Sequence, residues 1–347
     1  MIDRKTKIAI IGAGMCGSFL SYLLARKGFS AISLFEKKSF HSSNQLGKVC
    51  GGCLHHSAVS IFKENGLESI IQPGIDIKKV SLISPEKNTS FSLQHGKWIN
   101  RRTVDDLLLE RAQQEGVSVF NSKAKILDSE NGIIQYGGKQ ENFEFIVDCG
   151  GISGSALPHW DETNISPAGF GFHGYCNADE NRNHHLQSIE VGEVRFFIDD
   201  FGYHGVVKVD SLHPYFHVAS YLRGKTLQTS EFLKQFFSLE SLKEKSATPS
   251  LYRKRAPSKG RVFLCGDSLG YPEPFTGEGM RFAVETTTLF ASLIDVGLSS
   301  WNTQIVALQE KQWKRCQYAT WFIEKSFRRK VFFPFIPYLN SITRSVW

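Results

Sequence analysis

Nowhere in its 347 residues does the chain string together the roughly 18 apolar residues that a membrane-spanning helix requires. Internal repeats and low-complexity tracts are absent as well. With 22% charged and 41% apolar residues, the composition sets disordered and fibrous architectures aside and supplies core material for one large domain or two interleaved ones. The first apolar run ends at Gly12 with no small-residue cleavage site behind it, so a signal peptide is not expected. The seven cysteines, at 16, 50, 53, 149, 176, 265 and 316, are odd in number and scattered. That pattern suits reduced thiols in a cytoplasm better than a disulfide framework. The net charge of +7, from 41 Lys and Arg against 34 Asp and Glu, is mild and partly gathered near the C-terminus. No basic stripe or nucleic-acid motif accompanies it elsewhere, so nucleic acid is not an expected partner.

What is present starts with the first strand. Lys7-Ile-Ala-Ile-Ile11 is a buried-strand run, Gly12-Ala-Gly14-Met-Cys-Gly17 follows at once, and Phe19, Leu20, Leu23 and Leu24 then recur at helical spacing. A second strand, Ala31 to Phe35, ends at Glu36. In such a βαβ start Gly12 makes the tight turn, Gly14 lets the backbone approach a pyrophosphate, and Gly17 lets the helix pack on the strand. Phosphates then meet the free N–H groups of the helix start, and Glu36 accepts from a ribose hydroxyl. A carboxylate there repels a 2′-phosphate, so FAD or NAD is expected rather than NADP. The same spacing recurs at Gly169-Phe-Gly171-Phe-His-Gly174. That copy follows Pro167 and has no helix behind it, so it reads as strand.

Further along, Thr103 to Glu115 reads as a helix stopped by Gly116, and Val117 to Phe120 as a strand. Phe143 to Val147 is an apolar strand leading into the glycine-rich turn Asp148 to Gly154. Here Asp148 is open to two readings, a cofactor contact or a strand-end cap of its own turn. Residues 160–225 are β-rich, with strands at Val194 to Ile198, Val206 to Val209 and Tyr215 to Tyr221. The strand Arg261 to Cys265 runs into Gly266-Asp267, a proline-containing loop follows, and Thr276-Gly277-Glu278-Gly279 opens a helix reaching Ile294. Asp267 is suited to accept from a polyol hydroxyl, and the amides of that helix start to stabilise negative charge on a reduced ring. A ribityl chain followed by an anionic flavin satisfies both. From Trp301 to about Phe333 the chain reads as helical, broken by Pro334 and Pro337.

In order and context these motifs resemble the single-Rossmann FAD family that contains geranylgeranyl reductases, aromatic hydroxylases and flavin-dependent halogenases. The resemblance spans most of the chain: the glycine motif with Glu36, the loop Lys48-Val-Cys50-Gly51-Gly52, Arg101 with Asp105 and Leu108, Val147 to Gly151, and Gly266-Asp267. It implies an α/β fold, with a Rossmann-type FAD-binding domain, an interleaved β-sheet substrate domain and C-terminal helices. The expected boundaries are 1–75, 100–158 and 250–300 for the FAD domain, 76–99 and 159–249 for the substrate sheet, and 301–347 for the helical segment. It also implies that Arg101 contacts the pyrophosphate or ribityl region, Asp267 the ribityl chain, Gly277 and Gly279 the flavin pyrimidine edge, and the Cys50-Gly51-Gly52 loop the cofactor.

Cys50-Gly-Gly-Cys53-Leu-His55-His56 admits four readings: a redox dithiol, a metal site, plain packing, or a Cys50 that shapes the substrate site beside the flavin. Adjacent histidines are awkward to aim at one ion, and no metal is expected. No second nucleotide motif marks a site for NADH or NADPH, so the electron donor is either nicotinamide docking transiently or a carrier protein. In the substrate sheet, family members carry an aromatic signature where this chain has Gly202-Tyr203-His204-Gly205-Val-Val-Lys208. Glycine and lysine replace the second aromatic and the proline, so substrate identity is not carried over. Tyr203 and His204 are candidate polar or proton-donating groups, one of which an alternating strand must turn away. The first functional expectation is flavin hydride transfer to a carbon–carbon double bond of an apolar, isoprenoid-like substrate. The second is a monooxygenase acting on an aromatic or polyketide-like ring, and the third a flavin redox sensor built on Cys50 and Cys53. Lys314, Arg315, Lys325, Arg328, Arg329 and Lys330 among aromatics suggest peripheral contact with the inner face of a membrane, or helices that cap the domain.

Overall fold

In a computed structural model, the described residues are 2–37, 50–151, 162–177, 186, 188–198, 202–209, 215–222, 243–246, 250–270, 279–323 and 325–332. The chain begins with β1 (Ile8–Ile11), α1 (Met15–Arg26) and β2 (Ile32–Phe35). There follow β3 (Cys53–Leu54), α2 (His56–Glu64), α3 (Glu68–Ile71), β4 (Ile75–Ile83), β5 (Asn88–Trp98) and α4 (Arg101–Gln114). Next come β6 (Ser118–Phe120), β7 (Lys125–Asp128), β8 (Ile133–Tyr136), β9 (Lys139–Asn142) and β10 (Phe145–Asp148). The middle of the chain supplies β11 (Glu162–Asn177), β12 (Glu193–Ile198), β13 (Gly202–Lys208), β14 (Tyr215–Leu222), β15 (Lys243–Ser246) and β16 (Ser250–Arg255). After β17 (Ser258–Lys259) and β18 (Val262–Leu264), the helices α5 (Gly279–Leu293), α6 (Trp301–Ile323) and α7 (Ser326–Phe332) complete the described chain.

The first sheet, in the order β17-β18-β10-β1-β2-β6, is parallel apart from its β17 edge. Its central strands are apolar throughout because both faces are covered: β1 and β18 are wholly buried, and Tyr136 of β8 packs on Phe35 of β2 and Phe120 of β6. This is the Rossmann-like arrangement, and α1 packs between β1 and α5. Ile8, Ile10, Phe19, Leu24, Ile146, Leu264 and Phe290 form one continuous core. The second sheet has the order β15-β11-β14-β13-β12-β4-β5-β3, with β16 also on β11, and is antiparallel except where β12 meets β4. A separate cluster around Trp98, Val80, Leu82, Phe196 and Val207 holds it. A small meander, β7-β8-β9, forms a third sheet.

Mixed sheets, a Rossmann-like N-terminal region and C-terminal helices make this an α/β fold. The strands at 53–54 and 250–255 join the second sheet, although the sequence-based boundaries placed both stretches with the first. The reason is pairing: β3 completes the edge beyond β5 at Trp98, and β16 pairs with the N-terminal half of the 16-residue β11. The second Gly-x-Gly-x-x-Gly copy lies inside β11, as its lack of a following helix implied. The glycines at 277 and the prolines at 334 and 337 fall outside the described residues.

Candidate functional site

The glycine turn after β1 leaves no room for side chains. Gly12 has a φ of +99°, and a Cβ there would stand 2.7 Å from the Cys149 carbonyl oxygen. A Cβ on Gly17 would overlap the Gly12 carbonyl, so α1 starts as close to the strand as backbone allows. Gly14 behaves differently. Its Cβ would meet nothing nearer than Arg101 Nη2 at 3.9 Å and Asp105 Oδ2 at 4.0 Å, so the backbone is open on that side. Gly14 is the N-cap of α1 with no side-chain cap, and no acidic residue sits in the first turn, so the helix itself supplies no counter-charge to its positive end. Glu36, at the end of β2, accepts from the Ala13 N–H at 2.9 Å and so borders the same loop.

Arg101 opens α4, where the Asn100 side chain accepts from the N–H groups of Arg102 and Thr103. Its Nε donates to Asp105 Oδ1 at 2.8 Å one turn on, and its side chain is only 10% exposed. Burial works against the guanidinium charge, but Asp105, then Cys50 and Asp267, outweigh it and hold Arg101 more firmly protonated than an ordinary arginine. Arg101 is thus the meeting point of the Gly14 loop, the Cys50 loop and the turn after β18.

That turn is a 3₁₀ segment, Gly266–Leu269, where the sequence reads only the end of a strand. Gly266 has φ +62°, and a Cβ there would stand 2.9 Å from Cys16 Sγ on α1. Asp267 Oδ1 lies 3.0 Å from where Gly279 would carry a Cβ. Arg101 thus lies against the Gly14 loop and feels the charge of Asp267, the residue that borders the helix start at Gly279. Gly277 lies outside the described residues. Asp148 is fully buried, and its Oδ1 accepts from the Gly150 N–H at 2.8 Å, so the carboxylate is engaged in capping its own turn.

In the cysteine loop, the Gly52 N–H approaches Cys50 Sγ at 3.5 Å, and Gly52, with φ +75°, would place a Cβ 2.5 Å from Trp98 Nε1. Neither Cys50 nor Cys53 is in a disulfide. Cys50 packs on the core of the first sheet and Cys53 on that of the second, where its Sγ approaches the Gly51 carbonyl at 3.8 Å. His55 is the N-cap of α2, its Nδ1 accepting from the Ser57 N–H at 3.1 Å.

The loop leans on one face of the second sheet: a Cβ on Gly51 would touch Ala219 Cβ at 3.5 Å. Register puts His173, Ala219 and Gly205 in one row of that face, with Tyr175, His217 and Val207 in the next. His173 Nδ1 lies 3.3 Å from the Cys50 carbonyl oxygen and 3.3 Å from His217 Nε2. One nitrogen cannot donate its single proton to both, so the tautomer of the pair decides which contact is a hydrogen bond. Trp98 and Tyr175 flank His217 with ring centroids at 5.7 and 4.9 Å. Burial, and then the charge of His173, lower the His217 pKa to about 3, which keeps its imidazole neutral. Tyr203 belongs to this face, edge-on to Phe196 at 5.8 Å. His204 sits one residue on and is fully buried toward the opposite face, so of the two candidates only Tyr203 shares the surface turned to the Cys50 loop.

His173, His217 and Trp98 are not among the residues that the sequence nominates. The signal was three histidines on three strands, at 173, 204 and 217, but only the register tells which two meet.

Residues 5–151 match the family described as FAD binding domain. Kynurenine 3-monooxygenase of Dictyostelium discoideum is 24% identical over 314 residues, 80% of this chain and 67% of that protein. Geranylgeranyl diphosphate reductase of Synechocystis is 29% identical over 131 residues, 35% of this chain and 29% of that protein. Among solved structures, p-nitrophenol 4-monooxygenase from Pseudomonas putida superposes with a TM-score of 0.75 at 12% identity, covering 98% of this chain and 96% of its own.

Proposed function

From a chain that has the fold of the FAD-binding oxidoreductase, monooxygenase and halogenase superfamily and carries an FAD binding domain at residues 5–151, we infer an FAD-dependent monooxygenase that hydroxylates a small aromatic substrate. The observation that carries the reading is Arg101, a buried cation lying against the bare backbone of Gly14 and shared with Asp267 and the Cys50 loop.

These residues fit the cofactor. The open side of Gly14 and the uncapped start of α1 suit a pyrophosphate, Arg101 supplies its counter-charge, Glu36 suits a ribose hydroxyl and Asp267 a ribityl hydroxyl. Gly52 and Gly279 lie tightly against Trp98 and Asp267, and Gly51 touches Ala219, so their missing side chains make room for protein neighbours. Bound FAD supplies two-electron transfer and activation of oxygen. In the reaction one oxygen atom enters a ring C–H bond and the other leaves as water, with two electrons drawn from NADH, NADPH or a carrier protein.

The chain's own part is orientation. Trp98, Tyr175, Phe196 and Tyr203 present aromatic faces beside the Cys50 loop, and the neutral imidazole of His217 suits a hydroxyl or amino group on a ring. Hydroxylation draws more support than the first sequence expectation, double-bond reduction. The kynurenine 3-monooxygenase match runs through most of the chain, whereas the reductase match covers about a third of it. The Cys50-Gly-Gly loop keeps reduction as the second reading. The sensor reading has less support, because Cys50 and Cys53 pack against different cores.

The test is turnover of purified, FAD-loaded protein with NADH or NADPH and a panel of hydroxy- and amino-substituted aromatic acids under ¹⁸O₂. The expected product is heavier by one labelled oxygen. An unlabelled product that gains two hydrogens under nitrogen would replace this reading with the reductase.

A further inference from the structure

We propose that the C-terminal helices α6 and α7 form a docking surface for an anionic lipid bilayer. Residues 311–347 contain eight Lys or Arg and one Glu, and so account for the chain's whole net charge of +7; the first 310 residues balance to zero. The same stretch is rich in aromatics, from Trp313 to Trp347.

The geometry of α7 divides these side chains into an inward and an outward set. Arg329 is buried, and its guanidinium makes a two-point contact with Glu86 at the tip of the β4–β5 hairpin, Nη2 to Oε1 at 2.9 Å and Nε to Oε2 at 3.1 Å. This clamps the helix to the second sheet by one face. Phe327, Lys330 and Val331, at i, i+3 and i+4, lie on the other face, and Phe327 is 74% exposed. Beside them Arg328 stacks its guanidinium over Trp321 at 4.1 Å and donates to the Trp321 carbonyl oxygen at 2.8 Å. Trp321 remains 44% exposed, and Lys325 is exposed next to it.

No described residue from Lys325 to Phe332 is acidic. Cations interleaved with exposed indole, phenyl and branched aliphatic groups match the headgroup boundary of an anionic bilayer. There the aromatics enter the acyl edge while lysine and arginine stems reach anionic headgroups. Among the described residues no helix is long and apolar enough to cross a membrane, so the contact is interfacial. The surface is separate from the Arg101 site and does not depend on the proposed chemistry.

The experiment is co-sedimentation of the full chain with vesicles of phosphatidylglycerol and phosphatidylcholine, or of phosphatidylcholine alone. Binding is expected only to the anionic vesicles and should weaken with salt. Lys325→Ala with Lys330→Ala should weaken it about 25-fold, at roughly fivefold per basic residue. Phe327→Ser should weaken it about tenfold, with thermal unfolding unchanged. Lys125→Ala, an exposed lysine on β7, should have no effect. Equal binding to both vesicle types would overturn the proposal, as would helix variants that bind like the parent. A concentration-dependent dimer lost in Phe327→Ser without vesicle binding would assign the surface to a second copy of this chain, and retention on duplex DNA but not on vesicles would assign it to nucleic acid.

Discussion

Replacing Arg101 by methionine keeps most of the side-chain stem and removes the cation. In the parent, the Arg101 side chain is 10% exposed, its guanidinium holds Asp105 at 2.8 Å, and Cys50 and Asp267 are its other electrostatic neighbours. Without it, the Asp105 carboxylate is left alone beside the bare Gly14 backbone where the diphosphate is proposed to lie. Losing a charge-assisted partner costs about 1.5–3 kcal/mol, or roughly 10- to 150-fold in the FAD dissociation constant. The apoprotein should also lose stability, since removing one member of a buried ion pair costs about 3–5 kcal/mol and the 18% exposure of Asp105 favours the lower end. Titrating deflavinated protein with FAD by fluorescence quenching, alongside thermal unfolding of the apoprotein, separates the two effects. Asp105→Asn, which retains the cation, should lose stability but bind FAD within a few fold of the parent. A folded Arg101→Met protein that binds FAD as tightly as the parent would refute the placement of the pyrophosphate.

Gly17→Ala forces a methyl group onto the Gly12 carbonyl, so α1 must move off β1; a loss of about 3 kcal/mol is expected, read as a fall in Tm on the order of 5 °C. His217→Phe should flatten the acid side of the stability profile. With its folded pKa lowered to about 3 against an ordinary 6.5, native His217 stays neutral while the unfolded chain takes up a proton. The penalty is therefore absent above pH 6.5 and grows by up to about 1.4 kcal/mol per pH unit as the pH falls toward 3. Chemical denaturation at several pH values checks this, and an unchanged slope in the variant would show that another group is responsible. Glu86→Gln should leave Arg329 short of a counter-charge, cost about 3 kcal/mol locally, and speed tryptic cleavage after Lys325 and Arg328.

Much of the first sheet was legible because its signals are local. Gly12, Gly14 and Gly17 are tied to backbone approaches within one βαβ unit, and the helix beginning at Gly279 follows a strand and an aspartate in one segment. What could not be read depends on partners distant in sequence. His173 and His217 meet only because β11 and β14 pair with Tyr175 opposite His217, a register that no local pattern specifies. Strand alternation showed that Tyr203 and His204 must part, but only the Phe196 contact and the shared core decide that Tyr203 takes the side of the Cys50 loop. Asp148 was ambiguous because a strand-end aspartate serves equally as ligand contact or turn cap, and the Gly150 N–H accounts for one of its oxygens. The Glu86–Arg329 clamp spans 243 residues and carried no sequence signal beyond two opposite charges.

One FAD is expected to contact both glycine-lined helix starts, with Arg101 beside its diphosphate. The direct measurement is flavin stoichiometry in the purified parent and in Asp267→Ala, from the visible spectrum and FAD released on denaturation. Asp267 belongs to the turn after β18, far in sequence from the Gly12–Gly17 loop, yet it is expected to share the same cofactor. The predicted result is one FAD per parent chain and a largely colourless variant with the parent's fold. A variant that stays yellow and fully loaded would contradict it.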